Sequence, residues 1–114
     1  MPVPDFQTIM LPLLESVRDG NEYSISELAD LLADRFELTP AERNERVPSG
    51  VTRFRDRVHW ANTYMKKAIL LESPGRGRIR ITPRGLELLQ ENPQRIDRKL
   101  LMRYPEYVEF ASPG

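Results

Sequence analysis

The stretch VTRFRDRVHWANTYMKKAILLESPGRGRIRITPR, residues 51–84, decides the fold. At 100° per residue, Phe54, Val58, Ala61, Met65 and Ala68 fall on one apolar arc, which predicts a helix over about residues 52–68. Arg55, His59, Thr63, Lys66 and Lys67 point away from that arc, with Asn62 at the edge of the outward stripe. Leu70 and Leu71 then lead into a strand, and Arg78-Ile79-Arg80-Ile81 alternates with period two. That alternation puts both isoleucines on one face of a second strand and both arginines on the other. Between the strands lies Ser73-Pro74-Gly75-Arg76-Gly77, a basic turn. A basic helix followed at once by a basic hairpin predicts a mainly α domain with a small β-hairpin wing: a winged helix-turn-helix.

Working outward, the flanking segments supply scaffold helices. Toward the N-terminus, Phe6, Ile9, Met10, Leu13, Leu14 and Val17 repeat amphipathically, and Pro12 inside that pattern predicts a kinked or divided helix. Ser24 and Glu27 form a capping-box signature for a helix reaching about Arg35. Thr39-Pro40-Ala41-Glu42 repeats the signature for a short helix ending near Arg46, and Val47-Pro48-Ser49-Gly50 is a turn. Toward the C-terminus, Thr82 and Pro83 start a helix that Glu91-Asn92-Pro93 stops. A last helix is expected over residues 95–104, followed by aromatics that dock on the domain or lead beyond it. Residues 1–92 thus form the expected winged-helix domain and residues 93–114 a C-terminal helix and tail. Trp60 and Tyr64 are expected to pack against that tail.

Composition narrows the function. The chain has 114 residues and 39% apolar content, enough for one modest core. It has no cysteine and one histidine, which leaves neither disulfides nor a thiolate or histidine-rich metal site. No apolar run approaches the ~18 residues of a membrane span, and no secretory leader is visible, so a cytoplasmic protein is expected. Net charge is zero, yet it is unevenly spread. Residues 1–42 carry two bases and nine acids, residues 43–84 eleven bases and three acids, and residues 85–114 four bases and five acids. A positive middle third fits a polyanion partner; the bland alternative is that the halves neutralise each other across the fold.

The candidate contacts follow from placement. Arg53 and Arg57 lie near the start of the basic helix, where backbone phosphates approach. Arg55, His59, Asn62, Thr63 and Lys66 have the donors and acceptors that base edges in a major groove require. Arg76, Arg78 and Arg80 would hold the wing against phosphate or minor groove. A solvated helix back and a charge-guarded hairpin edge are the structural alternatives. Gly75-x-Gly77 lacks the third glycine and the strand–helix context of a nucleotide fingerprint, and no cofactor is expected.

These residues resemble the N-terminal domain of Mrr-like restriction proteins. The likeness rests on residues 4–14 (PDFQTIMLPLL), Arg53-Phe54, Arg57-Val58-x-Trp60-Ala61, Tyr64-x-Lys66-Lys67-Ala68, Ile81-Thr82-x-Arg84-Gly85 and Asn92-Pro93-x-x-Ile96-Asp97, in order from about Pro4 to Phe110. The resemblance implies a winged helix that binds double-stranded DNA. In full-length relatives it precedes a PD-(D/E)xK nuclease domain that cuts modified, typically methylated, DNA. No such carboxylate set can be read in this chain, so the resemblance implies a targeting module and not an enzyme. The alternative is a winged helix for protein interaction or dimerisation, with a homodimer among its assemblies.

Overall fold

All helix starts but that of the last helix fall where capping side chains stand. In the computed structural model, which describes residues 3–112, the order is α1 (Phe6–Ser16), α2 (Ile25–Arg35), α3 (Pro40–Asn44), α4 (Arg53–Lys67), β1 (Leu71–Glu72), β2 (Arg80–Ile81), α5 (Pro83–Gln90), α6 (Arg98–Leu101) and α7 (Pro105–Ala111). Both expected capping boxes are formed: Glu27 N donates to Ser24 Oγ at 3.1 Å and Ser24 N to Glu27 Oε1 at 3.0 Å. Thr39 and Glu42 do the same at 3.2 and 2.7 Å. Thr52 and Thr82 accept from Arg55 N and Gly85 N, which starts α4 and α5.

Helix α4 runs through the middle of the core. Phe54, Val58, Ala61, Met65 and Ala68 are all buried, as their spacing predicts. They meet Ile9, Met10, Leu13 and Leu14 of α1, Leu28 and Leu32 of α2, and Tyr107 of α7 in one apolar cluster. Pro12 lies inside α1 without dividing it, so of the two expected outcomes the divided helix does not occur. One missing backbone bond is a small loss beside the four fully buried side chains around it.

At its C-terminus α4 closes in a Schellman turn, with Ile69 N donating to Lys66 O at 3.0 Å and Leu70 N to Met65 O at 2.9 Å. Ile69 takes the left-handed conformation there, at φ +61°, a position that a β-branched residue occupies under strain. The chain then enters the wing. Leu71 pairs with Ile81 and Glu72 with Arg80, antiparallel, while Ile79 and Ile81 are buried on one face. Tyr23 adds a third segment through an isolated bridge to Ile79, with hydrogen bonds of 2.9 and 2.7 Å, ahead of α2. Gly85 fits against the wing base so closely that a Cβ would lie 2.4 Å from Leu70 O and 2.7 Å from Ile81 Cγ1.

The last helix expected over residues 95–104 shrinks to the single turn α6, and a further helix, α7, forms in the aromatic segment that begins at Pro105. Proline disfavours helical backbone in the residue before it, and Tyr104 is extended. Helix α7 docks on α4: Tyr107 is buried, and its ring meets Tyr64 at 6.1 Å between centroids.

Candidate nucleic-acid interface

Two sides of α4 remain accessible, and they differ in chemistry. On the side facing α2, Arg55, His59 and Lys66 are exposed, and Thr63 is half-buried at its border. Arg55, Asp56 and His59 form a hollow with Ile25 at the start of α2 and with Val51. Among the described residues, the side chains of Arg55 and Lys66 have no ion-pair or hydrogen-bond partner. On the side facing α1 and α7 lie Trp60 and Tyr64. Tyr64 stacks on Phe6 at 5.0 Å and meets Phe110 edge-on at 5.9 Å. Trp60 stays 46% exposed with His59 and Tyr64 as its ring neighbours, so it does not pack into the tail as expected.

The wing continues the α2-facing side. Arg76 and Arg78 are exposed at its tip, again with no side-chain ion pair or hydrogen bond among the described residues. The Ser24 backbone amide holds the Glu27 carboxyl below its ordinary pKa, and Arg78 adds a smaller pull in the same direction. Arg78 therefore acts on the first turn of α2, the turn that also carries Ile25 beside His59.

Other candidates stand elsewhere. Asn62 is only 4% exposed and its Oδ1 has no hydrogen-bond partner among the described residues, so it belongs to the interior face of α4 and not to the outward stripe. Its place beside Val58, Ala61 and Met65 on the helix turns it inward. Arg57 donates from Nη1 to Val3 O at 2.7 Å and Pro4 O at 3.2 Å, tying the N-terminal segment to α4. Arg53 pairs with Glu45 at 3.0 Å. Arg80 is held by Glu72, with Nη2 at 2.5 Å and Nε at 2.9 Å from one carboxylate oxygen, and lies 3.9 Å from Glu22.

The neutralisation that composition left open is therefore real but incomplete. Of the middle-third cations, Arg43 pairs with Asp34, Arg53 with Glu45, Arg80 with Glu72 and Arg84 with Glu106. Lys67 sits 5.1 Å from the centre of the Phe110 ring. The turn expected at residues 47–50 closes a small hairpin before α4, bridged between Arg46 and Thr52, and adds the exposed Arg46.

The sequence model of the Mrr N-terminal domain family matches residues 6–91, most of the chain. The chain belongs to this family. Over 95 residues it is 27% identical to the type IV methyl-directed restriction enzyme EcoKMrr of Escherichia coli (strain K12). That alignment covers 82% of this chain and 31% of the relative, so the chain spans about a third of that protein's length. No solved structure matches it. Among the described residues of this Mrr N-terminal domain, no group of acidic and histidine side chains could hold a metal ion, and no helix is long and apolar enough to cross a membrane.

Proposed function

We propose that this Mrr N-terminal domain binds double-stranded DNA as the targeting module of a type IV restriction protein. In this reading α4 lies in the major groove with Arg55, His59, Thr63 and Lys66 toward base edges, and the wing presents Arg76 and Arg78 to the backbone. Arg53, Arg57 and Arg80 serve the fold through their partners, and Asn62 serves as a core residue. Residues 1–92 contain the reading unit, and Tyr107 and Phe110 of α7 brace α4 from behind. Cleavage belongs to a nuclease domain elsewhere in the longer protein, and the compartment is the cytoplasm.

One observation carries the proposal. The chain has 17 bases and 17 acids, so complete pairing is available. Arg55, Lys66 and Arg76 nevertheless form no ion pair among the described residues, and Arg78 has only a through-space pull on Glu27; they lie on the α2-facing side of α4 and at the wing tip. Unpaired cations gathered there favour a polyanion, since each phosphate contact releases counterions.

Anisotropy titrations of one duplex, methylated and unmodified, at increasing salt test this. Affinity should fall steeply with salt, and replacing Arg55, Arg76 and Arg78 together with Ala should reduce the log–log slope by about 2–3. A wild-type domain with no salt-dependent duplex affinity sinks the proposal.

A second reading, a protein-interaction module, is favoured by the 46% exposed Trp60 and 44% exposed Phe110 on the opposite side. Sedimentation with and without DNA separates the two. Concentration-dependent association without DNA affinity would select the second.

A further inference from the structure

The geometry points to the hairpin of residues 45–53 as a second DNA clasp, with Arg46 seating a backbone phosphate beside Arg55 at the N-terminal end of α4. The inference rests on the DNA-binding reading proposed above and names an element which that reading does not use.

The hairpin is a built structure and not a slack connection. Arg53 N donates to Glu45 O at 2.6 Å, Val47 N to Val51 O at 3.0 Å, and Gly50 N to Val47 O at 2.9 Å. Arg46 and Thr52 bridge across it, and Gly50 turns the chain at φ +96°. Arg46 folds back over this turn, donating from Nη1 to Gly50 O at 2.5 Å. A guanidinium carries five N–H donors in a rigid fork, so one bond fixes its attitude and leaves the rest available.

Arg46 and Arg55 line the same hollow of about 510 Å³, between α2 and the start of α4. Ser26 and Asn44 add hydrogen-bonding groups, Phe54 lies beneath, and Asp30 stands on the α2 wall. Asp30 repels an anion from that wall and leaves the seat on the side of the two arginines. Their basic neighbours are already satisfied, Arg43 by Asp34 and Arg53 by Glu45. Neither Arg46 nor Arg55 has a carboxylate partner among the described residues.

Position supplies the purpose. Helix α4 has 15 residues and is about 22 Å long at 1.5 Å per residue, with the hairpin at one end and the wing following the other. A major groove is about 12 Å wide, so a helix lying across it brings its two ends to opposite walls. The wing meets one strand's phosphates, and the hairpin meets the other's.

The test compares Arg46→Ala, Arg46→Lys and the wing pair Arg76→Ala with Arg78→Ala in anisotropy titrations of a duplex of about 25 base pairs over a range of salt. Arg46→Ala should weaken binding about five- to tenfold near 0.1 M salt and lower the slope by about 0.9, the loss of one phosphate. Arg46→Lys should restore the slope with intermediate affinity, because it keeps the charge and loses the fork. A weaker Arg46→Ala complex with an unchanged slope overturns the clasp, since Arg46 then only props the turn. Wild-type binding by Arg46→Ala alongside a weakened wing pair overturns it too, while the DNA-binding reading stands. Absence of duplex affinity in the wild type removes both.

Discussion

The two sides of α4 make an instructive contrast within one helix. Toward α1 and α7 its polar groups are engaged: Arg57 with two backbone carbonyls and Lys67 over the Phe110 ring. Around them Phe6, Tyr64, Tyr107 and Phe110 join ring to ring. Toward α2 and the wing, Arg55 and Lys66 are left unengaged. Burial of aromatic area and satisfied hydrogen bonds contribute to stability, whereas solitary exposed cations contribute almost nothing to it. One side thus holds the domain together, and the other is available for work.

That division is broken or sharpened by substitution, starting with the largest expected effect. Tyr107→Ala removes a buried ring from the stabilising side and should cost about 3 kcal/mol or more, on the scale of other large-to-small core changes. Chemical denaturation measures the loss. Duplex affinity of the protein that remains folded should be unchanged; a parallel fall in affinity would show that the two sides are not separable.

Arg55 and Arg57 give the sharpest pairing, two residues apart on the same helix. Arg57→Ala should lower stability by about 1 kcal/mol, through two lost bonds to Val3 and Pro4, and leave DNA affinity alone. Arg55→Ala should do the reverse, weakening binding about tenfold with stability changed by less than about 0.5 kcal/mol. Paired melting and anisotropy measurements decide; equal behaviour of the two variants would erase the contrast.

Ile69 ends the helix where the chain turns into the wing. Ile69→Gly should raise stability by about 1 kcal/mol, because glycine takes φ +61° without a Cβ clash. Thermal unfolding reads the gain, and a destabilised variant would show that the 44% exposed side chain contributes more packing than its strain costs.

The smallest effect concerns acid. The carboxyls of Glu27 and Glu42 are held below their ordinary pKa chiefly by the backbone amides of Ser24 and Thr39. Groups with lowered folded-state pKa values stabilise fully above the unfolded value of 4.5 and lose that contribution as pH falls through the lowered one. Melting temperature of the wild type should therefore fall below about pH 4.5 more than that of a Glu27→Gln, Glu42→Gln double variant. Identical acid profiles would remove the caps from the account.

What could be read in advance was local. Capping boxes act over three residues, the α4 arc repeats every turn, and the wing alternates by twos; each signal is complete within its own segment. The placements that went astray depend on distant partners. Arg57 is claimed by carbonyls more than 50 residues away, and Tyr23 completes the sheet from ahead of α2. Asn62 lies at the border of the arc, where a few tens of degrees decide between water and core. Two features were within reach: Arg80 faces Glu72 directly across the hairpin, and Pro105 suits the first turn of a helix, which is where α7 starts. The unpaired state of Arg55, Lys66, Arg76 and Arg78 was not, since it depends on where the other bases find their acids.

The tight seat of Gly85 sets a rule for building variants of this domain. With Leu70 O only 2.4 Å from where a methyl group would stand, position 85 admits no other residue unless α5 retreats from the wing base. Any retreat would swing the arginine tip relative to α4 and misalign the two elements along a shared ligand. Libraries that probe the proposed DNA reading should therefore leave that position untouched and spend their diversity on 55, 59, 63 and 66. A chain with alanine or serine at the same place is expected to carry its wing at a different pitch.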